Sequence, residues 1–571
     1  MAVNNSDPTD IPGQVDLEPG SPDPVQEADP NARIARLARG TRPLSDAERA
    51  RRQQALNCTA VGPEEAGAGC RQALHLAVFF DGTGNNRTEE LAKSNEQRAL
   101  SNIAHLYDAH VVDSHQVYRR YVAGVGTPCP EVGDRGGKMG LAIGKGGAER
   151  IEYALEQLDE LIEKQPTQME ILVINVSVFG FSRGAAQARA FLRDLAARCT
   201  EQSDGTWLYR DVPLRVGFVG IFDTVSSVWR TLLGAAINRG NGHNLWAHDV
   251  KLPPMVEQCV HMTAAHELRP QFPLDSTRDG GRYPNNTIEI WYPGVHSDVG
   301  GGYDPSHQGR KNSIARFALN ELYDMAREGG VLLRDIASLD PAIQDEFNKD
   351  DEELRAAYNG YLQAVRRKRG RMEEVQAAHM ELFHRWLKVR VDVRGETPSM
   401  HRLREREARL RAEIRTLGRE LNRLPDPYDM DRNFYGRITA EQRAEWDRLY
   451  AQLREKRSER AQVRKQRRGL SRETGTLAHR MEDLRRKRTS GGRLTMSERT
   501  MLDAWENPEP LPEAVVKFFD GYSHDSISHW FTGNLTTWRT LYFGDTKYKP
   551  ERVAARPRIE VGEPEMIGVL P

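Results

Sequence analysis

Ser182 lies in Gly180-Phe181-Ser182-Arg183-Gly184, a G-x-S-x-G pentapeptide whose hydroxyl is a candidate nucleophile. A serine hydroxyl attacks poorly until a base takes its proton. That base is usually a histidine held in one tautomer by a carboxylate. Phe222-Asp223-Thr224-Val225 offers the carboxylate, and His296 in Gly294-Val295-His296-Ser297-Asp298 the imidazole. The oxyanion formed by such an attack needs two donors. The N–H of Arg183, next after the serine, is one candidate; Gly82 or Thr83 in Asp81–Asn86 (DGTGNN) is the other.

Rival groups stand near these in the sequence. His524, followed by Asp525 and Ser526, competes with His296 as base, and Asp298, two residues beyond His296, competes with Asp223 as acid. His261 and His266 are expected to be structural. A calcium reading would gather Asp81, His296, Asp298 and Asp304, but those positions lack strict ligand spacing, so no metal or other cofactor is expected. The glycine-rich stretch Gly136–Gly147 fails as a phosphate loop: Met139 stands where the leading glycine belongs and Gly146 where Ser or Thr must coordinate magnesium. It reads instead as a mobile surface loop near the site.

The elements that must position these groups are legible as patterns. An apolar run from Ile171 precedes the pentapeptide, and a helix-period segment follows with Ala188, Phe191, Leu192, Leu195 and Cys199 on one face. Strand, G-x-S-x-G and helix together form the context of a nucleophile elbow, in which Gly180 and Gly184 sit where side chains would collide. The bland alternative is a tight turn whose Ser182 caps the helix. Leu74–Phe80, Arg215–Ile221 and Thr287–Tyr292 read as further buried strands, alternating with helices at Glu149–Lys164 and Ile314–Ala326. Each candidate group follows the carboxyl end of a strand, and the chain order serine, acid, histidine is that of α/β hydrolases. The predicted fold class is α/β: a mostly parallel sheet, α/β-hydrolase-like, with helices on both faces and a large helical insertion of coiled-coil character. The long connection from Ser226 to Glu267, with Trp229, Leu232, Leu233 and Trp246, reads as packing or as a lid.

Composition bounds the rest. With Lys+Arg 81 against Asp+Glu 82 in 571 residues, net charge −1, no global field draws the chain to nucleic acid. The five cysteines are scattered and lack ligand or framework spacing. The N-terminus has neither basic nor apolar signal regions, so export is expected to need another machine. Four regions follow: a tail over 1–70, disordered or for docking; a catalytic domain over 71–330; a charged helical hairpin region over 331–509; and a segment over 510–571 expected to pack back on the catalytic domain. In the third, Leu403, Leu410, Leu417 and Leu424 recur every seventh residue. Thr439-x-x-Gln442 then forms a capping box for a second helix with Trp446, Leu449, Tyr450 and Leu453 inward. Its arginine-rich runs suit an anionic lipid or protein partner better than RNA.

DGTGNN, GVGT, GFSRGA, FDTV and WYPGVHSDVGGGY, in this order over roughly 74–330, resemble the DUF2235 domain, the catalytic part of the first family of type VI secretion lipase effectors. The resemblance implies phospholipase A activity on membrane glycerophospholipids, with Ser182 as nucleophile, Asp223 as acid and His296 as base. It also implies synthesis in the cytoplasm, loading on a secretion spike protein, delivery to the periplasm or membrane of a target cell, and neutralisation by a cognate immunity protein. The arginine-rich helical insertion matches no family motif. Two other readings stay open: a serine esterase on a soluble ester, and an interaction protein built beside an inactive hydrolase fold. Oligomeric state is not legible.

Overall fold

A computed structural model describes residues 71–547 apart from short breaks, the longest at 229–242, 428–438 and 527–537. The 1–70 tail, the lid candidates from Trp229 to Ile237 and everything after 547 lie outside the described residues.

Six parallel strands form the central sheet: β1 (Arg71–Phe80), β2 (Val117–Val122), β3 (Glu170–Phe181), β4 (Val212–Phe222), β5 (Cys259–Ala264) and β6 (Thr287–Tyr292). Their order across the sheet is β2-β1-β3-β4-β5-β6, with a short antiparallel hairpin (Thr200–Glu201, Trp207–Tyr209) added beyond β4. Strand side chains alternate between faces. Leu74, Leu76, Val78 and Phe80 therefore pack with α2 (Gly147–Glu163) and α3 (Arg183–Ala197) on one side. Ala77 and Phe79 pack with α1 (Asn102–Ala109) and α5 (Ala315–Glu328) on the other, where Phe79 stacks on Phe179 at 4.8 Å. This is the predicted mostly parallel α/β sheet with helices on both faces. Strand order reverses between β1 and β3, and ligands of open α/β sheets bind outside the carboxyl ends at such a switch point. Just beyond the end of β1 lies Asp81, and just beyond the end of β3 lies Ser182.

The helices beyond the α/β part separate into two kinds. α6 (Glu352–Ala364), α7 (Met372–Arg394), α10 (Met496–Glu506) and α11 (Glu513–Gly521) share a core through Tyr361, Trp386, Leu502 and Phe518, with Ile314 contributed by the α/β part. This layer is tied to the sheet: Trp291 of β6 donates to the Met372 carbonyl at 3.0 Å, and His266 meets the Tyr361 hydroxyl at 3.0 Å. α8 (Pro398–Leu421) and α9 (Ala440–Thr489) form the hairpin, with Leu403 and Leu410 against Val463. Thr439 and Gln442 close the capping box expected at the start of α9. Tyr450, expected inward, is 45 % exposed and stacks on Trp446 instead. The glycine-rich loop also differs from expectation. Gly140, Gly144 and Gly147 are buried, and a side chain at Gly147 would meet the Trp246 ring at 2.3 Å. Distant aromatic packing, not local composition, thus requires glycine at Gly147.

Candidate active site

β3 delivers Ser182 in a conformation that L-residues rarely adopt, φ 58° and ψ −126°. The turn is stapled to the end of β4: the Ser182 N–H donates to the Phe222 carbonyl at 3.0 Å, and the Ser182 carbonyl accepts from Val225 at 3.2 Å. Both flanking glycines are forced by close approach. A Cβ at Gly180 would lie 2.6 Å from the Ala185 Cα, and one at Gly184 2.3 Å from the carbonyl oxygens of Phe80 and Asp81. Ser182 occupies the N-cap position of α3, but its side chain makes no cap hydrogen bond, unlike the bland reading of a capping serine.

Asp223 follows β4, fully buried and with φ 44°. His296 opens the short helix α4 (His296–Gly300) after β6. The two meet: His296 Nδ1 lies 2.5 Å from Asp223 Oδ2. The other carboxylate oxygen, Oδ1, accepts from the Ala264 N–H at 2.8 Å and from Arg539 Nη1 at 2.5 Å. Burial pushes the Asp223 acid up, but the Arg539 guanidinium, then His296, overrule it and hold the carboxyl well below the usual carboxylate range. For His296, burial outweighs Asp223 and lowers the imidazole below its ordinary value. Phe181, next to Ser182, packs its ring 4.6 Å from the His296 ring, so the imidazole shares a wall with the elbow. No hydrogen bond joins Ser182 to His296 among the described residues. On its far side His296 is held by the Phe272 ring at 4.9 Å and by Glu267, which accepts from the His296 N–H at 3.3 Å. Arg269 pairs with Glu267 at 2.7 Å and lies over the Phe272 ring.

The DGTGNN loop faces the elbow from β1. Asp81 is buried and accepts from the Gly82 N–H at 2.7 Å, the Ser101 hydroxyl at 2.6 Å and the Tyr121 hydroxyl. Burial pushes its carboxyl up to about 6 against those three donors. Because the Gly82 amide is spent on Asp81, Thr83 is the loop's remaining oxyanion candidate. The Thr83 hydroxyl accepts from Arg183 Nε at 2.6 Å, which ties the loop to the first residue of α3. The Arg183 N–H stands at the first position of α3.

The rivals are placed elsewhere. His524 Nδ1 sits 2.5 Å from Asp298 Oδ1, and its Nε2 3.1 Å from the His307 carbonyl. Asp298 is thereby paired with His524, not with His296. His261 bridges Glu289, at 2.7 Å, and the Thr224 N–H, at 3.1 Å; His266 accepts from the Gly294 N–H at 2.9 Å. Both buttress loops of the site. The calcium reading finds its residues dispersed among these separate partners, and among the described residues no three His, Cys, Asp or Glu side chains converge as metal ligands. Sequence reasoning missed Glu267, Arg269 and Arg539. The only signal for Arg539 was its place in the aromatic stretch TTWRTLYFG, which marked a packed segment but not its partner.

Comparison with known proteins agrees with the motifs. Residues 75–200 and 196–326 match the family model of the catalytic domain of Tle1-like type VI secretion phospholipase effectors. The resemblance seen in the sequence thus holds over that stretch. Among solved structures, an uncharacterized protein from Pseudomonas aeruginosa shares the fold, with TM-score 0.58 at 22% identity over 94% of this chain and 86% of that one. The Tle1 effector bound to the VgrG spike of the type 6 secretion system aligns with TM-score 0.36 at 20% identity, covering 54% of this chain and 80% of that one. No curated protein sequence matches the chain.

Proposed function

We propose that this protein is a serine phospholipase that hydrolyses ester bonds of membrane glycerophospholipids through an acyl-enzyme. The observation that carries the reading is the 2.5 Å His296–Asp223 contact beside a positive-φ serine at the sheet's switch point. Ser182 Oγ attacks the ester carbonyl while His296 Nε2 takes its proton. The tetrahedral oxyanion is held by the N–H groups of Arg183 and Thr83. Asp223 fixes the Nδ1–H tautomer and stabilises the imidazolium. Collapse breaks the ester C–O bond, and His296 returns its proton to the departing alkoxide. Water, deprotonated by the same imidazole, then attacks the acyl-enzyme, releasing fatty acid and restoring Ser182.

The family match supports the phospholipid substrate and a role as a secreted antibacterial effector. By analogy with that family we place it on a secretion spike and under the control of an immunity protein in the producing cell. Among the described residues no helix is long and apolar enough to cross a membrane. The test is fatty-acid release from phospholipid vesicles by the wild type and by Ser182→Ala. Release is expected to fall on the order of 10⁴-fold or more in the variant; equal release from both would overturn the assignment. Short-chain soluble esters, run in parallel, separate a phospholipase from an esterase.

A further inference from the structure

The acid of the proposed triad is held by a residue from the far end of the described chain. Asp223 Oδ2 faces His296, leaving Oδ1 to the Ala264 N–H and to Arg539 Nη1, 316 positions away in sequence. Arg539 is 1% exposed, its Nε donates to the Phe272 carbonyl at 2.6 Å, and its Nη2 has no partner among the described residues. The backbone next to it is bolted down. The Thr540 carbonyl accepts from Leu274 at 2.9 Å, and Leu541–Phe543 then pairs in parallel with Leu274–Ser276. Arg539 thus reaches the acid from a fixed strand, and its guanidinium bridges the two loops that carry Asp223 and Phe272, the ring of which packs on His296.

A carboxylate this deeply buried is driven toward its neutral form unless a permanent cation faces it. Arginine never surrenders its proton in proteins, and its planar fork can serve two acceptors in fixed directions. We propose that Arg539 is a positioning residue of the active site, supplied by the C-terminal segment, which keeps Asp223 an ionised acceptor with Oδ2 aimed at His296 Nδ1. The proposal rests on the Ser182–His296–Asp223 reading. It makes the catalytic machinery incomplete without the chain beyond the helical layer, although that layer separates the two by some two hundred residues.

The charged groups facing His296 are Asp223 from β4, Glu267 and Arg269 from the loop after β5, and Arg539. Removing the Arg539 cation removes its repulsion of a proton held by the Asp223–His296 pair, whichever of the two carries it. The pair then stays protonated to higher pH.

The rate of labelling of Ser182 by a fluorophosphonate is measured against pH in the full-length wild type, Ser182→Ala, Arg539→Ala and Arg539→Lys. Arg539→Ala is expected to label on the order of 10²-fold more slowly at pH 7, as for misplacement of a catalytic group. Its acid limb is expected at higher pH than the wild type's, with part of the rate restored by millimolar guanidinium. A folded Arg539→Ala protein with wild-type rate and an unmoved limb overturns the proposal. So does a uniform loss at every pH without rescue, which is the mark of packing alone. If Arg539→Ala does not fold, Arg539→Lys decides: a point charge cannot span Phe272 and Asp223 together, so slow labelling is expected with an acid limb held near the wild type's by the retained cation, and a wild-type rate overturns the role. Labelling of Ser182→Ala equal to wild type, or none of wild type, instead overturns the nucleophile reading and Arg539's role with it.

Discussion

The buried imidazole–carboxylate pairs His296–Asp223 and His524–Asp298 have nearly the same acid–base geometry. In each, a histidine Nδ1 lies 2.5 Å from a carboxylate oxygen, His296 on Asp223 and His524 on Asp298. Burial does not separate them either, at 4% for His296 and 3% for His524. The difference is at the second ring nitrogen. His524 Nε2 faces the His307 carbonyl, its ring lies 4.2 Å from Tyr303, and its backbone N–H is held by Asp298 Oδ2 at 2.9 Å. Both of its ring nitrogens thus face oxygen atoms, and neither is left open to a serine. His296 makes no hydrogen bond through its other ring nitrogen among the described residues, and its ring lies 4.6 Å from that of Phe181, next to the elbow serine. A histidine–aspartate contact therefore marks a general base only when the other nitrogen is left for the reaction; otherwise it is a latch. Asp298 reinforces that reading, since Oδ2 also accepts from Val295 at the start of α4.

The sharpest way to break this comparison is to make the same change in both histidines. Asparagine keeps a donor near the place of Nδ1 and deletes Nε2. His296→Asn is expected to lower kcat/KM for phospholipid on the order of 10⁴-fold, as loss of a triad member does. His524→Asn is expected to cost less than about tenfold per folded molecule, because it removes only a bond to a carbonyl. If His524→Asn proves the more damaging while remaining folded, the two roles are exchanged. A smaller effect sharpens the latch. Asp298→Ala leaves His524 and two backbone N–H groups without their acceptor, and breaking a buried pair in this way costs about 3 kcal/mol. Denaturant unfolding is expected to show that loss, while burst labelling of the remaining folded protein stays near wild type.

How much of this could be read from the sequence depends on how local each constraint is. Ser182, Asp223 and His296 each end an apolar strand, so a short window around each contains both the element and the group it presents. The structure brings Asp223 and His296 together across 73 positions because both sit at carboxyl ends of one parallel sheet. The strand order itself was not legible, since nothing local tells β1 to lie between β2 and β3. Arg539 and Glu267 were missed for a related reason: a buried charge is recognised by its partner, and Arg539 finds its partner 316 positions away. The same holds for Gly147 in the glycine-rich stretch, read as surface from composition yet packed against Trp246. In the hairpin, the heptad identified Leu403 and Leu410, while the helical period of the second helix misjudged Tyr450. α9 runs 50 residues against 24 in α8, so a helical period along it does not guarantee a partner at every turn.

A third buried carboxyl tests whether neutral donors can do what an imidazole or a guanidinium does. Asp81 holds the candidate oxyanion loop with two hydroxyls and one amide, and unlike Asp223 it faces no cation in hydrogen-bond contact among the described residues. Its acid is pushed by burial from 3.8 up to about 6, those donors notwithstanding. The sign follows from linkage. A folded-state value above the unfolded one means that the native protein binds this proton more tightly. The stabilisation is fully present below about pH 4 and is lost as pH rises through 6. A rise of that size corresponds to about 2–3 kcal/mol. Asp81→Asn keeps an acceptor for Gly82 and cannot titrate, so the stability of wild type relative to the variant should fall by about that amount between pH 4 and pH 7.5. Denaturant melts at the two pH values measure it. A gap independent of pH would show that three neutral donors compensate burial as fully as Arg539 does for Asp223, and would remove the contrast between the two carboxylates.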